Sequence, residues 1–373
     1  MNQFIFYTPS VFKSLVHLPD VKLWLQTLRV SGDNIGSIDR TGATINPIRT
    51  TTLDINKLPK FDPTFSMSFD ECAINRAKEI YNQHQIKNVP IRLSWSGGID
   101  SSTALLSFIE LLGVKEASNC IEVVMTHASI MENPYIWEKI VRKENFKIVN
   151  ASHFNESWNG GAIIVNGEGG DQVHGGDMPK HLFTLFGSDG LKMPMNEDNV
   201  YRLVKFRSNS PLIIAPGINH DDAIKVTDVL CRQFRNAPIP LETMNDALSM
   251  LNFSSKWAST FYRLITKANR PLSEEFIKNY YFPFYGSLDF QQWAMHPNGE
   301  KTKGTNESYK WKAKEYICRV SNTPELQMKH RFSSLVGIFN HVKRADFIDK
   351  ELNFYKEINP EEWYNPENTF KLF

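Results

Sequence analysis

Hydrophobic residues follow two different spacings in the first half of the chain. Residues 68–85 repeat apolar side chains every three or four positions, which predicts an amphipathic helix. Short runs with few polar residues follow, and such runs are typical of strands buried on both faces of a sheet. They span residues 89–95, 121–125, 147–149 and 162–165. Helical spacing separates several of them, so the pattern predicts an α/β fold: a parallel sheet with helices on both faces.

The pattern divides the chain into three predicted domains. Residues 1–66 mix short apolar runs with Gly, Asn, Thr and Pro, which predicts strands and loops in a small appendage. Residues 67–220 hold the predicted sheet. Residues 221–373 repeat apolar positions at helical spacing, for example in 246–264 and 273–281, and predict a mainly helical region.

Composition and charge restrict the classes of function. Of the 373 residues 41% are apolar and 22% charged, which is ordinary for a globular protein. A formal net charge of +1 provides no strong field for nucleic acid or an anionic membrane. The sequence also has no secretory signal and no apolar run of the roughly 20 residues that cross a bilayer, so we expect a cytoplasmic protein. The four cysteines are too far apart in sequence for a C-x-x-C pair.

A glycine-rich loop lies between the first predicted strand and a helix, and it reads Ser96-Gly97-Gly98-Ile99-Asp100-Ser101-Ser102. Adjacent glycines let the backbone approach a ligand closely, and the N–H groups at the start of a helix attract an anion. A carboxylate in such a loop repels phosphate unless a cation lies between them, so Asp100 indicates bound Mg²⁺. The alternative is a simple turn in which Asp100 only caps the helix.

The loop resembles the S-G-G-x-D-S signature of the ATP pyrophosphatases, or PP-loop family. The resemblance implies a PP-loop, adenine nucleotide α-hydrolase-like domain over residues 67–220. In that family ATP and Mg²⁺ are bound, the loop grips the pyrophosphate, and cleavage after the α phosphate forms an adenylate. The residues of the loop and of the adjacent strands that are expected to bind ATP are Leu93, Ser94, Ser96, Gly97, Gly98, Asp100, Ser101, Ser102 and Met125.

A second glycine-rich motif follows the strand that ends at Val165, and it reads N-G-E-G-G-D-Q. It resembles the S-G-E-G-A-D-E motif of the asparagine synthetase and β-lactam synthetase branch. In a parallel sheet the two loops would face each other at the carboxyl edge. The resemblance implies that Gly167 lines the adenine pocket, that Asp171 holds Mg²⁺ together with Asp100, and that Glu168 is the general base for ammonia. The alternative is a surface loop with solvated acids.

Cleavage of ATP at its α phosphate develops negative charge, which a cation must offset. In the resembled branch a late lysine in a stretch like R-x-K-x-x-F has this role, and residues 326–332 are similar to it. Lys329 is therefore the predicted catalytic lysine, beside Glu168 and Asp100. An ordinary exposed lysine is the alternative, since Gln327 replaces the usual Arg.

Together the two motifs predict an asparagine synthetase-like ligase, in which the helical region completes the active site. It would adenylate a carboxylate and pass the acyl group to ammonia. The family's glutaminase domain has no counterpart here, and Asn2 stands where glutamine users have cysteine. We therefore expect free ammonia, a separate glutaminase or another amine to supply the nitrogen. The alternatives are a β-lactam- or peptide-type ligase, and an inactive ATP- or AMP-binding module that docks on a partner protein.

Overall fold

The computed structural model describes residues 13–32, 38–44, 57–151, 158–176, 178–208, 216–265, 268, 272–296, 301–305 and 308–328. The chain forms two compact units, each built from several segments. The first comprises Met1–Phe65, Asp171–Glu274 and Gln291–Gly299, and the second comprises Ser66–Gly170, Glu275–Phe290 and Glu300–Phe373. The division after Phe65 falls beside the predicted domain limit at residue 66. The division after Gly170 falls inside the predicted sheet domain, 67–220.

The α-helices of the described residues are, in chain order, α1 (Pro19–Ser31), α2 (Phe69–Lys87), α3 (Ile99–Leu112), α4 (Val114–Cys120), α5 (His127–Glu132), α6 (Pro134–Ile136), α7 (Gly170–Val173), α8 (Pro179–Phe186), α9 (Glu197–Arg207), α10 (His220–Arg235), α11 (Met244–Ile265), α12 (Glu274–Tyr280), α13 (Leu288–Met295) and α14 (Trp311–Ser321). A π-helical turn, Trp137–Arg142, extends α6. Short 3-10 turns lie at Gly187–Lys192, Phe284–Gly286 and Pro324–Met328.

The second unit is built on a five-stranded sheet in which all neighbouring strands are parallel. Its strands are β1 (Ile91–Ser94), β2 (Ile121–Met125), β3 (Lys147–Asn150), β4 (Ile163–Asn166) and β5 (Tyr281–Pro283), in the order β3-β2-β1-β4-β5. The predicted α/β class with a parallel sheet is confirmed. The order is compatible with a Rossmann-like fold, in which the strand order reverses between β1 and β4 and ligands bind at the carboxyl ends of the strands there.

Burial of the central strands explains why their sequences are almost continuously apolar. Every residue of β2 and of β4 is buried. The register places Leu93 of β1 between Val123 of β2 and Val165 of β4. All three side chains are fully buried. Branched aliphatic residues pack well on such a pleated surface, and they keep the carboxyl ends of the three strands at one edge.

The amphipathic helix predicted from residues 68–85 is confirmed as α2, and its start is fixed by a reciprocal cap. The Ser68 hydroxyl accepts a hydrogen bond from the Glu71 N–H, and the Glu71 carboxylate accepts one from the Ser68 N–H at 2.7 Å. The next helix, α3, begins at Ile99, inside the glycine-rich motif 96–102 and earlier than predicted, and it ends before Gly113. β1, the loop and α3 therefore form a strand–loop–helix unit.

Helices make up most of the described part of the first unit. The strands predicted for residues 1–66 are wrong over Pro19–Ser31, which is helix α1. Pro19 in its first turn and Gly32 at its end are typical helix boundaries. Val21, Trp24, Leu25 and Leu28 form its buried face. None of the described helices combines the length and the apolar character needed to cross a lipid bilayer.

Candidate functional site

The first glycine loop, which joins β1 to α3, is held in shape by its own hydroxyl groups. Ser101 Oγ accepts a hydrogen bond from the Ser96 N–H at 3.1 Å and donates one to the Gly98 carbonyl at 3.2 Å. Ser102 Oγ accepts a hydrogen bond from the indole N–H of Trp95 at 3.1 Å. Ser101 and Ser102 are buried. Their side chains, which sequence reasoning assigned to ATP, therefore shape the loop.

The loop leads directly into the N-terminal end of α3. Gly98 is the N-cap residue, and no side chain caps the helix there. The first N–H groups of a helix have no acceptor within the helix, and they bear a partial positive charge. Phosphate is a typical ligand of such a helix start.

Gly97 fits between the loop and the segment that follows β2. Its φ is +74°, and a Cβ built on it would lie 2.3 Å from the Ser129 carbonyl oxygen and 2.8 Å from Glu132 Cβ. Glu132 is buried, and sequence reasoning did not single it out. The two glycines of the loop thus have different positions: Gly97 permits a close approach to the α5 segment, and Gly98 is the N-cap residue of α3.

The second glycine motif lies in contact with the first. A Cβ on Gly167 would be 2.8 Å from the Ser101 backbone nitrogen and 2.9 Å from the Asp100 carbonyl carbon. A Cβ on Gly170 would be 2.3 Å from Cγ of the Asp100 carboxylate. The motif that this stretch resembles has Ala at the position of Gly170, and here the Asp100 carboxylate fills that volume. The two turns therefore meet at the carboxyl ends of β1 and β4.

Asn166 positions the turn that carries Glu168. Its side-chain NH₂ donates to the Tyr281 hydroxyl at 3.0 Å, and its side-chain oxygen accepts from the Glu168 N–H at 2.9 Å. Asn166 is buried, whereas Glu168 is partly exposed. The Asn that replaces Ser in the resembled motif thus ties the second turn to the edge strand β5, and it fixes the backbone of the predicted general base.

A lysine that sequence reasoning missed lies beside Asp100. Nζ of Lys310 is 2.5 Å from Oδ2 of Asp100, and the two side chains are 6% and 22% exposed. Lys310 has a left-handed backbone, with φ 55° and ψ 38°, immediately before α14. One turn later Lys314 is fully buried, with its Nζ 4.5 Å from the ring centre of Tyr309. The sequence feature that could have indicated Lys310 is the presence of three lysines within residues 310–314.

Other predicted site residues are placed as follows. Leu93 and Ser94 end β1, and buried Met125 ends β2. Asp171 follows Gly170 along the chain and belongs to the first unit, where its carbonyl oxygen accepts a 2.6 Å hydrogen bond from Asn252. Lys329 lies outside the described residues. The pairing of Asp171 with Asp100 and the catalytic role of Lys329 therefore stay predictions.

The cysteine thiols are unsuited to thiolate chemistry. Burial raises the pKa of Cys72 to about 12 and the pKa values of Cys120 and Cys318 to about 11. Burial also raises the pKa of Cys231. These thiols stay protonated at neutral pH, and a thiol is a poor nucleophile and metal ligand in that form. In the parts of the chain that the structure describes, no three His, Cys, Asp or Glu residues are grouped as a metal cluster.

Gly170→Ala tests whether the contact between the two turns matters. The new methyl group would overlap the Asp100 carboxylate, which must then turn away and break its ion pair with Lys310. We expect Mn²⁺ affinity to fall about tenfold or more because the ligand carboxylate itself is displaced, with a loss of about 1–2 kcal/mol in the free energy of unfolding. Titration calorimetry and thermal unfolding measure the two effects. Unchanged Mn²⁺ binding would mean that the Asp100 carboxylate, which lies against Gly170, takes no part in holding metal.

Comparisons with models of protein families, with curated proteins and with solved structures found no match for this chain. The chemistry of the site is therefore inferred from its own residues and their geometry.

Proposed function

We propose that this chain is an ATP-dependent carbon–nitrogen ligase. It adenylates a carboxylate with release of pyrophosphate, and ammonia then attacks the acyl-adenylate to give an amide and AMP. The observation that carries the proposal is the contact of two glycine turns at the carboxyl ends of β1 and β4. These strands flank the point where the order of the sheet reverses, which is where parallel α/β sheets bind their ligands.

Phosphate binding is supported by the start of α3. The first N–H groups after Gly98 have no side-chain cap. Gly97 and Gly167 let neighbouring backbone pack closely around this helix start, because an added Cβ at either position would overlap protein atoms. A carboxylate at this place, that of Asp100, fits a magnesium–phosphate complex and not a bare anion. Mg²⁺ takes one or two carboxylates and completes its shell with phosphate oxygens and water. We assign the carboxylates to Asp100 and Asp171.

When bound, Mg²⁺ would neutralise the pyrophosphate that leaves. Groups of the chain itself bind the other parts of the nucleotide. The N-terminal end of α3 orients the phosphates, and the backbone of Gly167 lines the adenine pocket. Cations at Lys310 and at Lys329 offset charge at the α phosphate. The finer fold that we propose is the PP-loop type with helices on both faces of the sheet, and the all-parallel sheet is compatible with it. ATP use and free, protonated thiols suit the cytoplasm.

Glu168→Gln separates the two halves of the proposed reaction. The amide of Gln keeps the shape of the turn that Asn166 holds, but it cannot take a proton from the attacking nitrogen. We expect ammonia-dependent amide formation to fall about 100-fold or more. Exchange of labelled pyrophosphate into ATP, which reports adenylate formation alone, should continue near the wild-type rate. Equal loss of both activities would contradict a role of Glu168 as base.

The direct test of the proposal is the pattern of nucleotide products. The protein is incubated with ATP, Mg²⁺, ammonium and pools of carboxylates, and the products are separated by chromatography. AMP and pyrophosphate are expected, and mass spectrometry of the new amide identifies the acid. ADP as the product would contradict cleavage at the α phosphate. Products that form only with another amine would indicate a β-lactam- or peptide-type ligase, and ATP binding without products would indicate a docking module.

A further inference from the structure

Lys310 and a divalent metal would compete for the same carboxylate. The Lys310 ammonium lies 2.5 Å from Oδ2 of Asp100, and its side chain is almost entirely shielded from water. At that separation and degree of burial, a second cation on the same oxygen would be strongly repelled. Mg²⁺ can bind Oδ2 of Asp100 closely only if the ammonium group moves away.

The backbone at Lys310 is well held, so that movement would be confined to the side chain. The Lys310 carbonyl accepts a 3.1 Å hydrogen bond from the Lys314 N–H, and the Trp311 N–H donates to the Lys301 carbonyl at 3.1 Å. The left-handed conformation of Lys310 is unfavourable for a residue with a side chain, and such strain is found at functional sites. The flexible four-carbon side chain can redirect its charge over several ångströms.

We propose that Lys310 is an exchangeable counter-ion of the phosphate site. Without metal, its ammonium group pairs with Asp100. When magnesium and nucleotide bind together, Asp100 passes to the metal and Lys310 turns to the phosphate oxygens. The inference rests on the proposed function, and it predicts that metal alone binds weakly, because the site holds its own cation until a polyphosphate provides that cation with another partner.

The exchange predicts opposite effects of one substitution on two affinities. In Lys310→Met the competing charge is gone, so Mn²⁺ alone should bind about tenfold more tightly or better. The same variant lacks a phosphate partner, so the Mg²⁺ complex of α,β-methylene-ATP, which cannot be cleaved at the α phosphate, should bind about tenfold more weakly or worse. Titration calorimetry measures both affinities on the full chain.

Two further variants separate charge from structure. Lys310→Arg keeps the positive charge and should leave Mn²⁺ affinity within about threefold of the wild type. Lys312→Met is the matched control, because Lys312 pairs with Glu315 at 2.9 Å on the same helix, and it should change neither affinity. A Lys310→Met protein in which both affinities fall together, or in which Mn²⁺ affinity is unchanged, would overturn the exchange.

Failure of the proposed function has a different signature. If the wild-type protein does not bind the magnesium complex of α,β-methylene-ATP, the ligase proposal fails. The Mn²⁺ comparison between wild type and Lys310→Met then still decides whether Lys310 excludes metal from Asp100, and equal Mn²⁺ affinities would overturn that as well.

Discussion

Asp100→Asn is expected to lower the release of AMP and pyrophosphate by a factor of about 1,000 or more. In the proposed mechanism this carboxylate holds Mg²⁺ at the first glycine loop, and a neutral amide holds Mg²⁺ far more weakly. The measurement is pyrophosphate release under the conditions that give the highest wild-type rate. Turnover near the wild-type rate would contradict the metal role of this residue.

The control for Asp100→Asn must account for Lys310. The substitution leaves a buried ammonium group without its carboxylate, which we expect to destabilise the fold by about 2 kcal/mol. The double variant Asp100→Asn, Lys310→Met removes both charges, so it should regain most of the stability while staying inactive. Thermal unfolding of the three proteins distinguishes lost chemistry from lost folding. An active double variant would show that neither charge is needed.

Gly97→Ala is expected to destabilise the protein by about 3 kcal/mol. The substitution places a Cβ 2.3 Å from a backbone oxygen, that of Ser129, at a φ of +74° that disfavours every residue except glycine. A backbone atom cannot swing aside like the end of a flexible side chain, so the loop must move. Chemical denaturation monitored by circular dichroism measures the change.

Gly304→Ala is the matched control for Gly97→Ala. Gly304 also has a positive φ, of +87°, but a Cβ on it meets no atom within 4 Å. We expect this variant to lose only about 1 kcal/mol, the ordinary cost of alanine in that conformation. Equal losses at the two positions would mean that the close approach of the loop to Ser129 contributes nothing.

Some features of the site could be predicted because their cause is local. β2 and β4 are buried at every position, and strands of that kind have continuous apolar sequences. The glycines at 97, 167 and 170 mark places where the backbone meets another backbone or a carboxylate, and a side chain at any of them would overlap those atoms. Local sequence therefore indicated both turns and the edge at which they meet.

Other features depend on contacts between distant residues, and local patterns do not show them. β5 has only three residues, including Pro283, and it is a strand because Tyr281 and Phe282 pair with Ile164 and Val165 of β4. Helix α1 was missed because polar and glycine-containing stretches follow it, although its buried face packs in the first unit. Stability from tertiary packing outweighs such local signals.

Lys310 shows the same limit within the site. No sequence period connects residue 310 to residue 100, and lysine is mostly an exposed residue. Its burial results from the position of α14, which contacts α3, the helix that carries Asp100. Similarity to a late lysine motif directed attention to Lys329, and the cation that the described structure brings to Asp100 is a different one.

The strand order also has a consequence for the way the chain folds. β1 and β4, whose ends carry the two turns, are neighbours in space but lie about 70 residues apart in sequence, and pairings over such separations form slowly. During synthesis β1, β2 and β3 can associate early. In contrast, β5 can pair with β4 only after residue 283 has emerged from the ribosome. Nascent chains arrested before that point should therefore lack a completed pocket. They should also expose the unpaired edge of β4, to which a chaperone could bind.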